Sequence, residues 1–166
     1  LNETGGFDGT ICLTELPVRK RDAAWRVRQA AMIAEEALYR FDRLKSKKDE
    51  VRRPLRKLTF CVSRRNELAL AEQALAQGQA IAAGVELAKD LGNLPGNICT
   101  PSHLADQARQ LAREHGLAVD VLDRGDMEKL GMNTLLSVAR GSHEPPKFIV
   151  LRHAGATAAT KPIVLV

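Results

Sequence analysis

The stretch Lys89-Asp90-Leu91-Gly92-Asn93-Leu94-Pro95-Gly96-Asn97-Ile98-Cys99-Thr100-Pro101-Ser102-His103-Leu104-Ala105 stops one helix and starts another. The run from Gly92 to Asn97 has turn chemistry, and Gly92 suits the left-handed residue that follows a helix. Thr100 is an N-cap and Pro101 fits the first helical position, where its missing N–H costs nothing.

Upstream of this junction, residues Glu67 to Leu91 predict a long helix. Ala71, Ala74, Leu75, Gly78, Ile81, Ala82, Val85 and Ala88 fall in one stripe at helical period. Small residues dominate that stripe, which implies close approach to a neighbouring backbone. At about 1.5 Å per residue the helix runs for over roughly 30 Å, long enough to join two domains. Charge changes sign at its start. Residues 1–66 hold 16 Lys/Arg against 9 Asp/Glu, a net of +7, whereas residues 67–166 hold 9 against 11, a net of −2. The expected organisation is therefore residues 1–66, a connecting helix over 67–92, and a second part over 93–166.

Downstream, Leu104, Ala105, Ala108, Leu111 and Ala112 form the buried face of the helix begun at Thr100, and Gly116 ends it. Leu117–Leu122 reads as a strand and Asp123–Leu130 as a short acid-started helix capped by Gly131. Leu135–Ala139, Phe148–Arg152 and Ile163–Val166 read as three further strands. Before the long helix, residues 11–18 read as a short strand, Asp22 to Phe41 as a helix capped by Asp22, Lys45–Arg53 as a loop, and Leu55–Val62 as a strand. Strands alternating with helices predict an α/β layered fold. Ile163–Val166 is apolar without alternation, the pattern of a strand covered on both faces. A chain ending on such a strand leaves an apolar edge, so a larger body is expected around it.

The balance of 45% hydrophobic and 27% charged residues is that of a globular protein with a core. No apolar run approaches the ~20 residues of a membrane span. The first residues lack the basic and apolar regions of an export signal and lack Met, so a start inside a longer, cytoplasmic protein is expected. Cys12, Cys61 and Cys99 are widely spaced among apolar neighbours, which predicts buried free thiols rather than a disulfide framework or zinc cage. Basic clusters at Arg19-Lys20-Arg21, Lys45-Ser46-Lys47-Lys48, Arg52-Arg53-Pro54-Leu55-Arg56-Lys57 and Arg64-Arg65 can follow a nucleic-acid backbone. More often such clusters are solvated loops and helix faces, and Trp25, Tyr39 and four Phe offer little for base stacking.

No phosphate-binding glycine loop, nucleophile elbow or His-Glu-x-x-His motif is present. His103, His115, His143 and His153 include no pair three or four residues apart, which excludes a metal site on one helical turn. Asp123, Asp126 and Glu128 resemble a carboxylate cluster, but acids at a helix start also serve the cap and the dipole. Arg140-Gly141-Ser142-His143 could hold an anion and is equally a strand exit. From these residues alone emerges an α/β protein with no catalytic, metal or substrate-binding residue assigned.

Five ordered blocks carry a resemblance. The junction over Lys89–Ala105 resembles that between the domains of the leucyl (cytosol) aminopeptidases, called aminopeptidase A in bacteria. Met127–Met132, Leu136–Ser142, Pro145–Leu151 and Pro162–Val166 follow in the family's order and spacing. Leu38–Lys48 and Arg52–Lys57 resemble the end of the N-terminal domain in proteobacterial members. The resemblance implies the end of an α/β N-terminal domain, a connecting helix and the start of a mixed-sheet α/β catalytic domain. For the intact enzyme it implies release of N-terminal residues from peptides by two divalent ions, Mn or Zn, in a homo-hexamer. The rival is a DNA-binding accessory protein of the same family, favoured by the basic first part. Two positions depart from the family pattern: Gly96 stands where a second proline is usual, and Asn133 where a glycine is usual. The family's metal-binding Gly-Lys-Gly-x-Thr-Phe-Asp run is expected directly after the Val-Leu-Val strand. No position of this sequence matches a family metal ligand or catalytic residue, and the chain alone is expected to be inactive.

Overall fold

The computed structural model describes residues 6–47, 55–155 and 161–166. The chain divides between Asn93 and Leu94 into two units. The fold is α/β, with short sheets among helices.

In the first unit, β1 (Asp8–Ile11) pairs in parallel with β2 (Lys57–Phe60), Ile11 standing level with Phe60. The expected strand over residues 11–18 is not formed, because Cys12 turns into the helical region and residues Leu13–Glu15 make a 3₁₀ turn. Thr14 causes the change. Its buried hydroxyl donates to the Cys61 carbonyl at 2.5 Å, which folds the chain back over the end of β2. Val18 then bridges to Arg21 around Lys20, which takes a positive φ of 60°.

Helix α1 (Ala23–Leu38) starts where expected, and Asp22 accepts from the Trp25 N–H at 2.7 Å. Ala23, Val27 and Ala31 form its buried face. It ends at Leu38 rather than Phe41, because Tyr39 leaves the helix with ψ 132°. Helix α2 (Leu68–Asn93) packs along α1 and buries Ala71, Ala74 and Gly78. At Gly78 a Cβ would lie 2.9 Å from the Arg28 carbonyl oxygen, so the small-residue stripe does permit close backbone approach. The stripe is buried only in its first half; Ile81, Val85 and Ala88 are exposed. Gly92 does not close the helix. It lies inside α2, which stops at Asn93 because Leu94 precedes Pro95 and the proline ring disfavours a helical residue before it. The expected loop over Lys45–Arg53 lies in part outside the described residues, as do the bases at positions 48, 52 and 53.

In the second unit, α3 (Pro101–His115) is capped by Thr100, whose hydroxyl oxygen accepts from the His103 N–H at 3.2 Å. It closes at Gly116 with φ 65°. Ala105, Ala108 and Ala112 form its buried face, packed on β3 (Ala118–Leu122) and β4 (Phe148–Arg152). These strands are antiparallel, with Asp120 level with Val150, and Asp120 reaches Arg152 diagonally in a 2.7 Å ion pair. Short helix α4 (Arg124–Lys129) buries Met127 completely and ends before Gly131 at φ 69°.

Two expected strands are absent. Asn133–Val138 is a helix, α5, rather than part of a strand over Leu135–Ala139. The Leu136 N–H bonds the Met132 carbonyl at 3.1 Å, and Leu136 is buried. Five apolar-rich residues are too few for period to separate helix from strand. Ile163–Val166 forms no strand, with Ile163 91% and Leu165 93% exposed, because no strand among the described residues pairs with it.

Candidate functional site

The side chains that could bind a metal or act as acids and bases are dispersed. Asp123 stands at the N-cap of α4, and its N–H donates to Asp126 Oδ2 at 3.3 Å. The Asp123 carboxylate pairs with the Lys147 ammonium, and that hydrogen bond and charge hold its pKa below the ordinary 3.8. Asp126 also reaches Lys129 at 3.4 Å. Glu128 is exposed on the following turn. Asp123 and Asp126 therefore serve the helix start and two lysines, and the three acids do not converge on a metal-binding point.

The histidines are equally separate. His103 lies in the first turn of α3 and His115 at its last residue. His143 follows the turn that ends at Gly141, and His153 follows β4; both are exposed. The Ser142 hydroxyl accepts from the Glu144 N–H at 3.1 Å, so in Arg140–His143 it holds the loop. Among the described residues no three His, Cys, Asp or Glu side chains are placed to hold a metal ion. This donor set does not fit a metal centre.

The first unit carries polar groups that its sequence did not single out. Tyr39 Oη donates to Asp90 Oδ1 at 2.9 Å and accepts from Asn93 Nδ2 at 3.1 Å. Lys89 lies 5.2 Å from the centre of the Tyr39 ring and 3.1 Å from Glu36. Desolvation, with the Asp90 carboxylate close by, pushes the Tyr39 phenol above its ordinary 10.0. These residues close the C-terminal ends of α1 and α2 upon each other. An open groove of about 380 Å³ runs between Leu38, Leu58, Phe60 and Leu75. Glu35, Arg56, Lys57 and Gln79 share its lining with these apolar side chains, and it contains no nucleophile with a base beside it.

The cysteines correct the sequence reading. Cys12 is exposed, Cys61 and Cys99 are half-buried, and Cys12 Sγ lies 3.6 Å from Cys61 Sγ. Their separation of 49 residues hides the pairing, which only the parallel register of β1 and β2 reveals.

With these positions fixed, comparison with known proteins defines the class. Residues 1–48 match the N-terminal domain of the cytosol aminopeptidase family, and residues 86–166 match its catalytic domain. The two matches follow in order along the chain and together take in most of it. The chain belongs to the cytosol aminopeptidase family. It is 68% identical over 166 residues to a "Probable cytosol aminopeptidase" of Dechloromonas aromatica, covering all of this chain and 33% of that protein. A protein of the same name from Methylobacillus flagellatus is 54% identical, with 96% and 32% covered. The chain thus spans about a third of the length of these relatives.

Among solved structures, the bottromycin maturation enzyme BotP in complex with Mn superposes with a TM-score of 0.74 at 31% identity, covering 89% of this chain and 29% of that one. A mutant tomato leucine aminopeptidase superposes at 0.71 with 24% identity, covering 90% and 30%, and shows the shared fold. The family is one of metal-dependent peptidases, and the chain has the α/β architecture of its members. Among the described residues no helix is long and apolar enough to cross a membrane.

Proposed function

We propose that the intact protein is a two-metal leucyl aminopeptidase of the cytoplasm that releases N-terminal amino acids from peptides. The observation that carries this reading is the ordered match of N-terminal and catalytic family domains. It is supported by the superposition on BotP, whose described complex contains Mn. The residues in hand contribute the end of the N-terminal domain, the helix α2 and the first layers of the catalytic domain. Their chemical part is positioning. The Thr100 cap and the alanine face of α3 hold β3 and β4, and the Asp123–Lys147 pair ties the start of α4 to the segment leading into β4. The two ions, Mn or Zn, are held by side chains outside these 166 residues, in a homo-hexamer acting on peptide substrates.

The test is hydrolysis of a leucyl amide by the full-length protein. With manganese or zinc it should release leucine, and chelation should abolish the release. The 166-residue chain alone, under the same conditions, should release none. A metal-loaded full-length protein without aminopeptidase activity would defeat the proposal. Metal-dependent turnover by the short chain would show that the ion-holding residues are wrongly located.

A further inference from the structure

Cys12 and Cys61 are brought together by the first sheet rather than by sequence. Ile11 and Phe60 are level in the parallel pair, so the residues that follow them leave the sheet side by side. The Cys61 N–H donates to the Ile11 carbonyl at 3.0 Å, and the Thr14 hydroxyl donates to the Cys61 carbonyl at 2.5 Å. The Ser63 hydroxyl donates to the Glu15 carbonyl at 3.3 Å. Bonds on both sides of the two cysteines therefore hold their backbones in register. The sulfurs lie 3.6 Å apart, and Cys12 is open to solvent. A disulfide needs a separation of about 2.05 Å, so each sulfur must move by less than about 1 Å, which side-chain rotation can supply.

We propose that Cys12 and Cys61 form a reversible dithiol–disulfide site whose co-substrate is a hydroperoxide. Exposure makes Cys12 the sulfur that meets the oxidant. Its thiolate attacks one peroxide oxygen and the O–O bond breaks. The other oxygen leaves with a proton, as water from hydrogen peroxide or an alcohol from an organic peroxide, and Cys12 becomes a sulfenic acid. The Cys61 sulfur then attacks the Cys12 sulfur. The S–S bond forms as the S–O bond breaks, and the departing hydroxide takes the Cys61 proton to give water. The two sulfurs together lose two electrons, and the peroxide gains them. The hydrogen bond to Cys12, aided by burial, pushes the Cys61 thiol up, which suits the partner that resolves the sulfenic acid rather than the one that starts the reaction. A dithiol reductant reverses the change by thiol–disulfide exchange. Cys99 lies in the second unit and is no part of the pair.

The experiment is differential alkylation and peptide mapping of the full-length wild-type protein, before and after stoichiometric hydrogen peroxide. The expected result is loss of both the Cys12 and Cys61 thiols, with Cys99 still alkylated. A peptide joining Cys12 to Cys61, lighter than its two parts by two hydrogen atoms, should appear and should vanish with dithiothreitol. Cys12→Ser should leave Cys61 alkylatable after peroxide. Sulfinic acid on Cys12 with Cys61 still free would overturn the proposal, as would a cross-link through Cys99 or two unreacted thiols. The wild-type map decides the matter even if the variant does not fold.

Discussion

A Cβ added to Gly78 would lie 2.9 Å from the backbone carbonyl oxygen of Arg28 and 3.0 Å from Ala31 Cβ. The obstacle is the backbone of α1, which cannot rotate away as a side chain could. Gly78→Val is therefore expected to force the helices apart and to destabilise the protein by about 1–3 kcal/mol. Gly78→Ala should lose less, because alanine recovers about 1 kcal/mol of helix propensity. Gly84 lies in the same helix with nothing within 4 Å of its Cβ position, and Gly84→Ala should stabilise by roughly 0.5–1 kcal/mol. Urea unfolding of the three variants measures the contrast. Equal effects at positions 78 and 84 would mean that α1 and α2 do not approach so closely.

The Tyr39 hydroxyl ties the end of α1 to Asp90 and Asn93 near the end of α2, at 2.9 and 3.1 Å. Its phenol titrates above the ordinary 10.0, chiefly because it is desolvated. In the unfolded chain the proton leaves first, so between the unfolded and folded pKa values the native state binds more protons. This contribution to stability is complete below about pH 10 and declines as pH rises through the folded pKa. Tyr39→Phe should lower stability at neutral pH and flatten the alkaline fall. Thermal melts across about pH 8–12, which brackets the tyrosine range, test this. An unchanged alkaline limb in the variant would count against the tie.

The legible parts of the fold are those specified by local chemistry. Thr100 and Pro101 announce the start of α3, Gly116 its end and Gly131 the end of α4, because a cap or a positive φ is a property of one or two residues. The alanines of the α3 face and the first half of the α2 stripe follow from period, whereas Leu104 of the expected α3 face is exposed and Leu111 half-buried. Failures arise where a distant partner decides. Thr14 reaches across 47 residues to the Cys61 carbonyl and turns an expected strand into a 3₁₀ turn. Ile163–Val166 has the composition of a covered strand, yet a strand needs a neighbour to bond. The carboxylates at Asp123 and Asp126 were readable as a helix start, and they are one. Lys147, 24 residues from Asp123, was not foreseeable as the partner of Asp123, since charge pairing at that range follows the tertiary structure.

Lys147 is mostly buried, with its side chain 17% exposed, and it meets Asp123 across the start of α4. The ammonium depresses the Asp123 pKa below 3.8. In the unfolded chain this carboxylate takes up its proton first as pH falls, so the native state is then the one with fewer protons. The pair's contribution is present above the unfolded pKa and is lost as pH falls through the folded value. Lys147→Met should return the Asp123 titration to its ordinary range, as followed by carboxyl carbon shifts in NMR. The acid limb of the stability curve should become less steep by the same change. A carboxyl that titrates identically in both proteins would refute the pairing.

Gly96 sits in the turn between α2 and α3, where the Ile98 and Cys99 N–H groups both donate to the Pro95 carbonyl at 2.9 Å. Its φ is not positive, and a Cβ there would meet nothing within 4 Å. The position therefore makes no use of glycine's freedom. It is the second residue of a turn, where proline pre-sets φ, and members of the family usually carry proline there. The flexible glycine enlarges the unfolded ensemble without helping the folded one. Gly96→Pro should therefore stabilise by about 0.4–1 kcal/mol, read as a higher urea midpoint with the same slope. The preceding residue is the control on this argument. A proline at 96 requires Pro95 to be extended, as the first residue of such a turn ordinarily is. Were Pro95 helical instead, the two rings would clash and the same substitution would lower the midpoint, so the sign of the shift reports the backbone at Pro95 directly.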